Sequence, residues 1–134
     1  MIEEIQRVEV VKYWWKKSGE SLDSAKRESN AGAYSFALNR TYYAAFYAVS
    51  ALLLEKDFTF KKHSGVRSTF HQKFVKTGII NKEWGKFYDR LFEDRQEGDY
   101  LALTEFDKEY IEDQINLCTE FLNVIKVQFD HIPD

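Results

Sequence analysis

The sequence predicts an all-α protein, built as an up-and-down four-helix bundle with one short additional helix. The only proline is Pro133, so no earlier position interrupts a helix by lacking a backbone donor. Apolar residues recur at steps of three and four instead of alternating, which is the spacing of amphipathic helices. Short polar connections join the segments, as in antiparallel bundles. A chain of 134 residues has the size of one domain, and we expect a single domain over 1–134.

The first two helices are separated by a turn at Asn30 and Gly32, residues that favour the end of a helix. We predict the first from about Glu4 to Ser29 and the second from about Ala33 to Lys56. The inward face of the first helix carries Val8, Val11, Trp15, Ser18, Leu22 and Ala25. The second helix is apolar nearly all round, so other elements must cover it on most sides.

The third and fourth helices are each followed by a glycine. We predict the third from about His63 to Thr77, closed by Gly78, and the fourth from about Lys82 to Glu97, ended by Gly98. The inward stripe of the fourth helix reads Trp84, Tyr88, Leu91 and then Arg95. An arginine therefore continues an apolar face.

The fifth helix has the most regular apolar stripe in the chain. Thr104 and Asp107 have the spacing of a capping box at its start. The stripe consists of Ile111, Ile115, Cys118, Leu122, Ile125 and Phe129. Cys118 is thus predicted to be packing and not a reactive thiol.

Charge is distributed unevenly along the chain, although the net charge is only −3. Residues 1–55 carry seven positive and seven negative side chains, residues 56–86 carry eight and two, and residues 87–134 carry four and thirteen. The positive segment contains a basic patch made of Lys61, Lys62, His63, Arg67 and His71. This patch is either a solvated helix face or a surface that grips phosphates.

Several classes of protein are disfavoured by what the sequence lacks. With one cysteine, the chain has no disulfide framework and no multi-cysteine zinc site, which fits the reducing cytoplasm. The start of the chain does not resemble a signal peptide, and the apolar run from Thr41 to Leu54 is too short to cross a bilayer, so a soluble protein is expected. There is no metal-ligand spacing, glycine-rich phosphate loop or catalytic triad pattern. We therefore expect no metal and no cofactor.

Two arginines lie where the pattern predicts apolar surroundings. Arg40 is the single formal charge between Glu28 and Glu55, and Arg95 continues the stripe of the fourth helix. Removing a guanidinium from water without a partner costs several kcal/mol, so each must find an internal acceptor, reach a wet cleft or meet an external anion. The internal acceptor is a carboxylate such as Asp94 or Asp99 for Arg40 and a neighbouring Glu or Asp for Arg95. The sequence leaves these readings open. The candidate binding residues are Arg40, Tyr43, Tyr47, Arg95, Asp99 and Tyr100.

Three segments in order resemble a known family. They read ALNRTYYAAFYAVSALLLEK, KKHSGVRSTFHQKFVKTGII and RLFEDRQEGDY, and a long amphipathic helix follows them. They are similar to the HEPN domain (higher eukaryotes and prokaryotes nucleotide-binding), in particular its small stand-alone bacterial and archaeal group. The similarity covers roughly Tyr13 to Phe129.

The resemblance implies a helical bundle that forms a homodimer with a cleft between protomers. Many HEPN proteins are metal-independent ribonucleases, often toxins encoded beside a minimal nucleotidyltransferase that acts as antitoxin. Their motif is an arginine followed, after four to six residues, by a histidine. Histidine moves protons near neutral pH, and arginine holds the charged phosphate.

This sequence departs from that motif. After Arg95 the three permitted positions hold Tyr100, Leu101 and Ala102, and after Arg40 they hold Ala45, Phe46 and Tyr47. Arg67 and His71 are separated by only three residues, which misses the spacing. Two hypotheses follow. The first is a nucleotide- or RNA-binding module of toxin–antitoxin type, with a degenerate ribonuclease motif and a nucleotidyltransferase partner. The second is a non-catalytic helical dimer that serves only protein interaction, with both arginines in internal ion pairs.

Overall fold

The computed structural model describes residues 3–100 and 106–133, and of residues 97–100 it describes the backbone alone. The described residues form five α-helices and no strand: α1 (Glu4–Asn30), α2 (Tyr34–Glu55), α3 (His63–Phe70), α4 (Lys82–Tyr100) and α5 (Lys108–Lys126). The all-α class predicted from the sequence is confirmed. The up-and-down order of the bundle stays a prediction.

Helices α1 and α2 form the most extensive helix pair of the described chain. Gly32 joins them with a φ of +79°, a conformation that glycine adopts without the penalty of a Cβ atom. In the middle of the pair, the buried Ser18 Oγ donates to the carbonyl oxygen of Ala44 at 2.6 Å. A small polar residue thus lets the two helices approach closely while its hydroxyl keeps a partner. Val8 is the exception in the predicted stripe of α1, since 43% of it is exposed.

Helix α2 lies at the centre of the fold and contacts α1, α3, α4 and α5. Its fully buried side chains include Leu38, Tyr42, Val49, Leu52 and Leu53. The prediction that this helix is covered on most sides is confirmed along those positions. One strip remains open to solvent: 68% of Phe36 is exposed, Arg40 is exposed, and Tyr43, Phe46 and Tyr47 are half-buried.

Helix α3 changes its winding before it ends. The sequence predicted one helix to about Thr77, but the α-helical part ends at Phe70 and a π turn follows over His71–Val75. Its defining bond runs from Lys76 N to the carbonyl oxygen of His71 at 2.7 Å. Gly78, with a φ of +80°, then ends the segment as predicted.

The ends of α4 and α5 differ from the prediction. Helix α4 continues to Tyr100, because one glycine at position 98 costs only about 1 kcal/mol in a helix and does not force it to stop. Helix α5 begins at Lys108, with Asp107 as its N-cap accepting a hydrogen bond from Tyr110 N at 2.8 Å. The predicted capping box placed Asp107 inside the helix, and its other member, Thr104, lies outside the described residues.

The stripe of α5 packs into the core as predicted. Ile111, Ile115, Cys118, Ile125 and Phe129 are buried, and Leu122 is half-buried. Burial raises the pKa of the Cys118 thiol to about 12, so this cysteine stays protonated and serves packing. In the part of the chain that the structure describes, no helix is long and apolar enough to cross a bilayer.

Candidate functional site

Tyr42 of α2 is the centre of a cluster drawn from three helices. Its ring is fully buried, and its hydroxyl lies 3.0 Å from Nδ1 of His63, the first residue of α3. From α4, the guanidinium carbon of Arg95 lies 4.8 Å from the centroid of the same ring. Because both groups contact one tyrosine, an imidazole and a guanidinium are neighbours although 32 positions separate them in the sequence.

Aromatic rings surround the imidazole. His63 stacks on Phe46 with 4.0 Å between centroids and 15° between planes, and the edge of Tyr43 meets it at 5.8 Å. Arg95 also lies over Tyr43, at 5.9 Å. His63, Arg95, Tyr43 and Phe46 are all half-buried, so the cluster is accessible from one side. We call Tyr42, Tyr43, Phe46, His63 and Arg95 the Tyr42 cluster.

Burial and the nearby guanidinium set the protonation states in the Tyr42 cluster. Burial lowers the pKa of His63 below its ordinary 6.5, and the positive charge of Arg95 lowers it further. Burial raises the pKa of Tyr42 to about 12, a rise that Arg95 partly opposes. The site therefore presents a neutral imidazole, a protonated phenol and a fixed positive charge at neutral pH.

A second polar group lies further along α3. Asp89 of α4 contacts Arg67 of α3 and His71 of the π turn, with its Oδ1 2.8 Å from His71 Nε2 and 3.6 Å from Arg67 Nη1. The guanidinium of Arg67 also lies 4.1 Å from the centroid of Phe92. Arg67 and His71 thus join α3 and the π turn to α4.

The residues predicted as one basic patch are therefore divided between different environments. Lys61 and Lys62 are exposed, His63 belongs to the Tyr42 cluster, and Arg67 and His71 contact Asp89. Arg67 and His71 are both oriented towards a carboxylate of the same chain. Whether this patch binds phosphates stays a prediction.

Arg40 and Arg95 also differ from each other. The sequence placed both on inward faces, but Arg40 is exposed, stacks over Tyr43 at 5.5 Å and donates from Nη2 to Asn39 Oδ1 at 2.8 Å. Among the described residues its acceptor is this neighbouring amide, and Asp99, one of the two carboxylates expected, has its side chain outside them. Tyr47 lies beside Tyr43, with 6.0 Å between ring centroids. The side chains of Asp99 and Tyr100, the other two predicted residues, lie outside the described part of the chain.

Sequence reasoning missed the role of Tyr42. Tyr42 is fully buried in α2, and a buried tyrosine needs a partner for its hydroxyl. That requirement is a signal that a polar residue of another helix lies against it. The sequence does not show which residue this is, because His63 reaches Tyr42 only through the packing of α3 on α2.

The Tyr42 cluster combines groups that suit a phosphate ester. A guanidinium donates hydrogen bonds to phosphate oxygens in a forked geometry, an imidazole accepts or donates a proton, and half-buried aromatic rings offer faces for a base. Among the described residues, no group of three or more His, Cys, Asp or Glu side chains is arranged to hold a metal ion.

Comparison with known proteins agrees with this reading of the sequence. The model of the HEPN domain matches residues 11–128. A UPF0332 protein of Thermotoga maritima is 47% identical over 121 residues, covering 90% of this chain and 92% of its own length. From Methanocaldococcus jannaschii, "Putative toxin MJ0142" is 38% identical over 83% of this chain and 76% of its own length. "Putative toxin MJ0605" of the same organism is 37% identical, over 62% of each chain. By both its family model and its relatives, this chain belongs to the HEPN domain family.

Proposed function

We propose that this HEPN protein is a toxin-type module that binds RNA or a nucleotide and acts with a minimal nucleotidyltransferase as its partner. The observation that carries the proposal is the half-buried Arg95, whose guanidinium is held on the rings of Tyr42 and Tyr43 beside His63. Two similar proteins bear the word toxin in their names, which supports the biological class. The single cysteine fits action in the cytoplasm.

The ring contacts of the Arg95 guanidinium favour the binding of a phosphate. Its planar guanidinium lies over two aromatic rings, which orients the fork before any ligand arrives. Pre-orientation lowers the entropy lost when a phosphate is bound. Exposed Lys61 and Lys62 precede His63 on the chain and add positive charge for a longer polyanion.

The test is binding of fluorescently labelled single-stranded RNA and of ATP by the purified full chain. We expect Arg95→Ala to weaken binding by about 10-fold or more, the size of a lost charge-assisted contact. Arg27→Ala is the matched control, since it removes the same charge from an exposed position on α1. The control should bind like the wild type.

The competing function is a helical dimer that only binds proteins, with Arg95 as a structural cation. It predicts the opposite pattern for Arg95→Ala, namely a clear loss of melting temperature without loss of a ligand. If the wild type binds neither RNA nor ATP, the proposed function is wrong. The partner is tested separately: if the neighbouring gene encodes a small nucleotidyltransferase, the two proteins should elute together after co-expression, and its absence or separate elution would remove the partner.

A further inference from the structure

A second guanidinium lies beside the Tyr42 cluster and is loosely held. Arg67 of α3 lies over Phe92 of α4, with 4.1 Å from its guanidinium carbon to the ring centroid. Asp89 Oδ1 is 3.6 Å from Arg67 Nη1, which is longer than a hydrogen bond between nitrogen and oxygen. The same oxygen lies 2.8 Å from His71 Nε2. Arg67 therefore forms an ion pair with Asp89, while His71 makes the hydrogen bond.

Arg67 and Arg95 are neighbouring cations on one aromatic surface. Arg95 lies on the ring of Tyr42 at 4.8 Å. That ring meets the ring of Phe92, on which Arg67 lies, with 6.1 Å between centroids. Along α3, Arg67 follows His63 by four residues, so it lies on the same helix face about 6 Å further on. Burial raises the pKa of Tyr42 to about 12, and the charges of Arg95 and Arg67 both oppose this rise.

We propose that Arg67 is a second phosphate-binding residue beside Arg95, and that Asp89 competes with the phosphate for it. In the free protein the Asp89 carboxylate balances the charge of Arg67, and the second phosphate of a bound ligand displaces this carboxylate. The ligand therefore carries at least two phosphate groups, as an RNA strand or a nucleoside polyphosphate does. This inference rests on the proposed function, because Arg95 must hold the first phosphate.

Displacing Asp89 from Arg67 costs little. Asp89 is fixed on α4 beyond hydrogen-bond distance, whereas a ligand phosphate is free to approach both arms of the guanidinium fork. The ion pair is weak, because 32% of the Arg67 side chain and 35% of the Asp89 side chain are exposed to water. The hydrogen bond from His71 remains when Arg67 leaves, so the carboxylate keeps a partner.

The experiment compares Asp89→Asn with Asp113→Asn in the full chain. Asparagine keeps an oxygen that accepts from His71 and removes the charge opposite Arg67. Asp113 is the matched control, since it is exposed on α5, which contributes nothing to the Tyr42 cluster. Affinity for a labelled single-stranded RNA or for ATP should increase about 2–5-fold in Asp89→Asn, because a half-exposed ion pair no longer has to be broken. Asp113→Asn should bind like the wild type.

Two further measurements show whether Asp89 acts through Arg67. In an Arg67→Ala background, Asp89→Asn should no longer change the affinity, whereas a general effect of charge or packing would persist. Each phosphate contact with a single strand contributes about 0.7 to the slope of log affinity against log salt concentration. Arg67→Ala should reduce the magnitude of that slope by about 0.7 for RNA.

Three ligands identify the source of the second phosphate. AMP has one phosphate, so it should bind equally to Asp89→Asn and to the wild type. A gain of affinity for ATP assigns the position at Arg67 to a nucleoside polyphosphate. A gain for the RNA alone assigns it to the next phosphate of a strand.

The outcomes separate this inference from the proposed function. Equal affinities of Asp89→Asn and the wild type for both RNA and ATP overturn the role of Arg67 and leave the binding module standing. The same holds for a gain that persists without Arg67 or that is equally large for AMP. Absence of binding of RNA and ATP by the wild type removes both proposals.

Discussion

At the scale of single residues, His63 links the candidate site to the stability of the fold. Its pKa is lowered in the folded chain by burial and by Arg95 of α4, and the other groups facing it are Tyr42 and Tyr43 of α2. In the unfolded chain the imidazole returns to about 6.5. Between that value and the folded pKa, the unfolded state binds more protons than the folded state, so folding becomes less favourable as pH falls.

Urea unfolding of the wild type and of His63→Asn at two pH values tests this dependence of stability on pH. Above about pH 7 the His63 contribution is fully present, and it decreases as pH falls through 6.5 towards the folded pKa. The wild type should therefore lose stability relative to His63→Asn between about pH 7.5 and pH 5.5. A difference that is the same at both pH values would show that the imidazole is not shielded from water as the structure has it.

Arg95 and Arg40 show which features of the candidate site can be predicted from the sequence and which cannot. The helical stripe of α4 correctly led to Arg95 as a cation at an apolar face, because that inference needs only the 3.6-residue period. Arg40 met the same criterion and is exposed instead, since its side chain lies at the edge of the strip of α2 that no described helix covers. Whether a neighbour covers a helix face depends on tertiary packing, and a periodic pattern contains no information about that.

At the scale of elements, the π turn and α4 meet at Gly85. A Cβ atom at this position would lie 2.9 Å from His71 Cε1 and 3.0 Å from Val75 Cγ1. Helix periodicity predicted the α3 segment but not the π turn, because the bond pattern i→i+5 leaves no clear signature in the order of apolar residues. The close approach of the π turn to Gly85 of α4 likewise depends on tertiary packing and cannot be predicted from the sequence.

Alanine substitutions at two glycines test this contact. Gly85→Ala should destabilise the protein by about 1–3 kcal/mol, because the added methyl group must displace packed side chains. Gly19→Ala is the matched control in the middle of α1, where nothing lies within 4 Å of the added carbon. It should stabilise the fold by about 0.5–1 kcal/mol through helix propensity. Thermal and urea unfolding measure both, and equal effects of the two substitutions would contradict the packing of α4 against the π turn.

At the scale of the whole molecule, positive and negative side chains are concentrated in different segments of the chain. Six of the seven lysines of residues 56–86 are exposed, namely Lys61, Lys62, Lys73, Lys76, Lys82 and Lys86, and the half-buried Lys56 pairs with Asp130. Lys61 and Lys62 directly precede His63 in the chain, whereas the excess of acidic residues lies from position 87 onwards. An RNA bound at the Tyr42 cluster would have positive charge beside it for its next phosphates. This reading of the basic segment requires that RNA affinity decreases as salt increases.

We predict that two copies of the chain associate through the open strip of α2. The resemblance to HEPN proteins led us to expect a homodimer. The open strip of α2 contains Phe36, 68% exposed, with half-buried Tyr43, Phe46 and Tyr47 following along the helix. A strip of this kind buries apolar and aromatic area when two copies meet. It also borders the Tyr42 cluster, so a second protomer on it would enclose the site from outside.

Sedimentation of the wild type should therefore give about twice the chain mass of 15.9 kDa. Phe36→Glu should yield monomers, because a carboxylate then has to be desolvated at the contact between the protomers. Ile79→Glu is the control, since Ile79 is 55% exposed after the π turn and not on α2. A monomeric wild type, or equal loss of the dimer in both variants, would exclude α2 as the interface. If the dimer does form through α2, RNA binding should weaken in Phe36→Glu as well, because the second protomer no longer shields the Arg95 guanidinium from water.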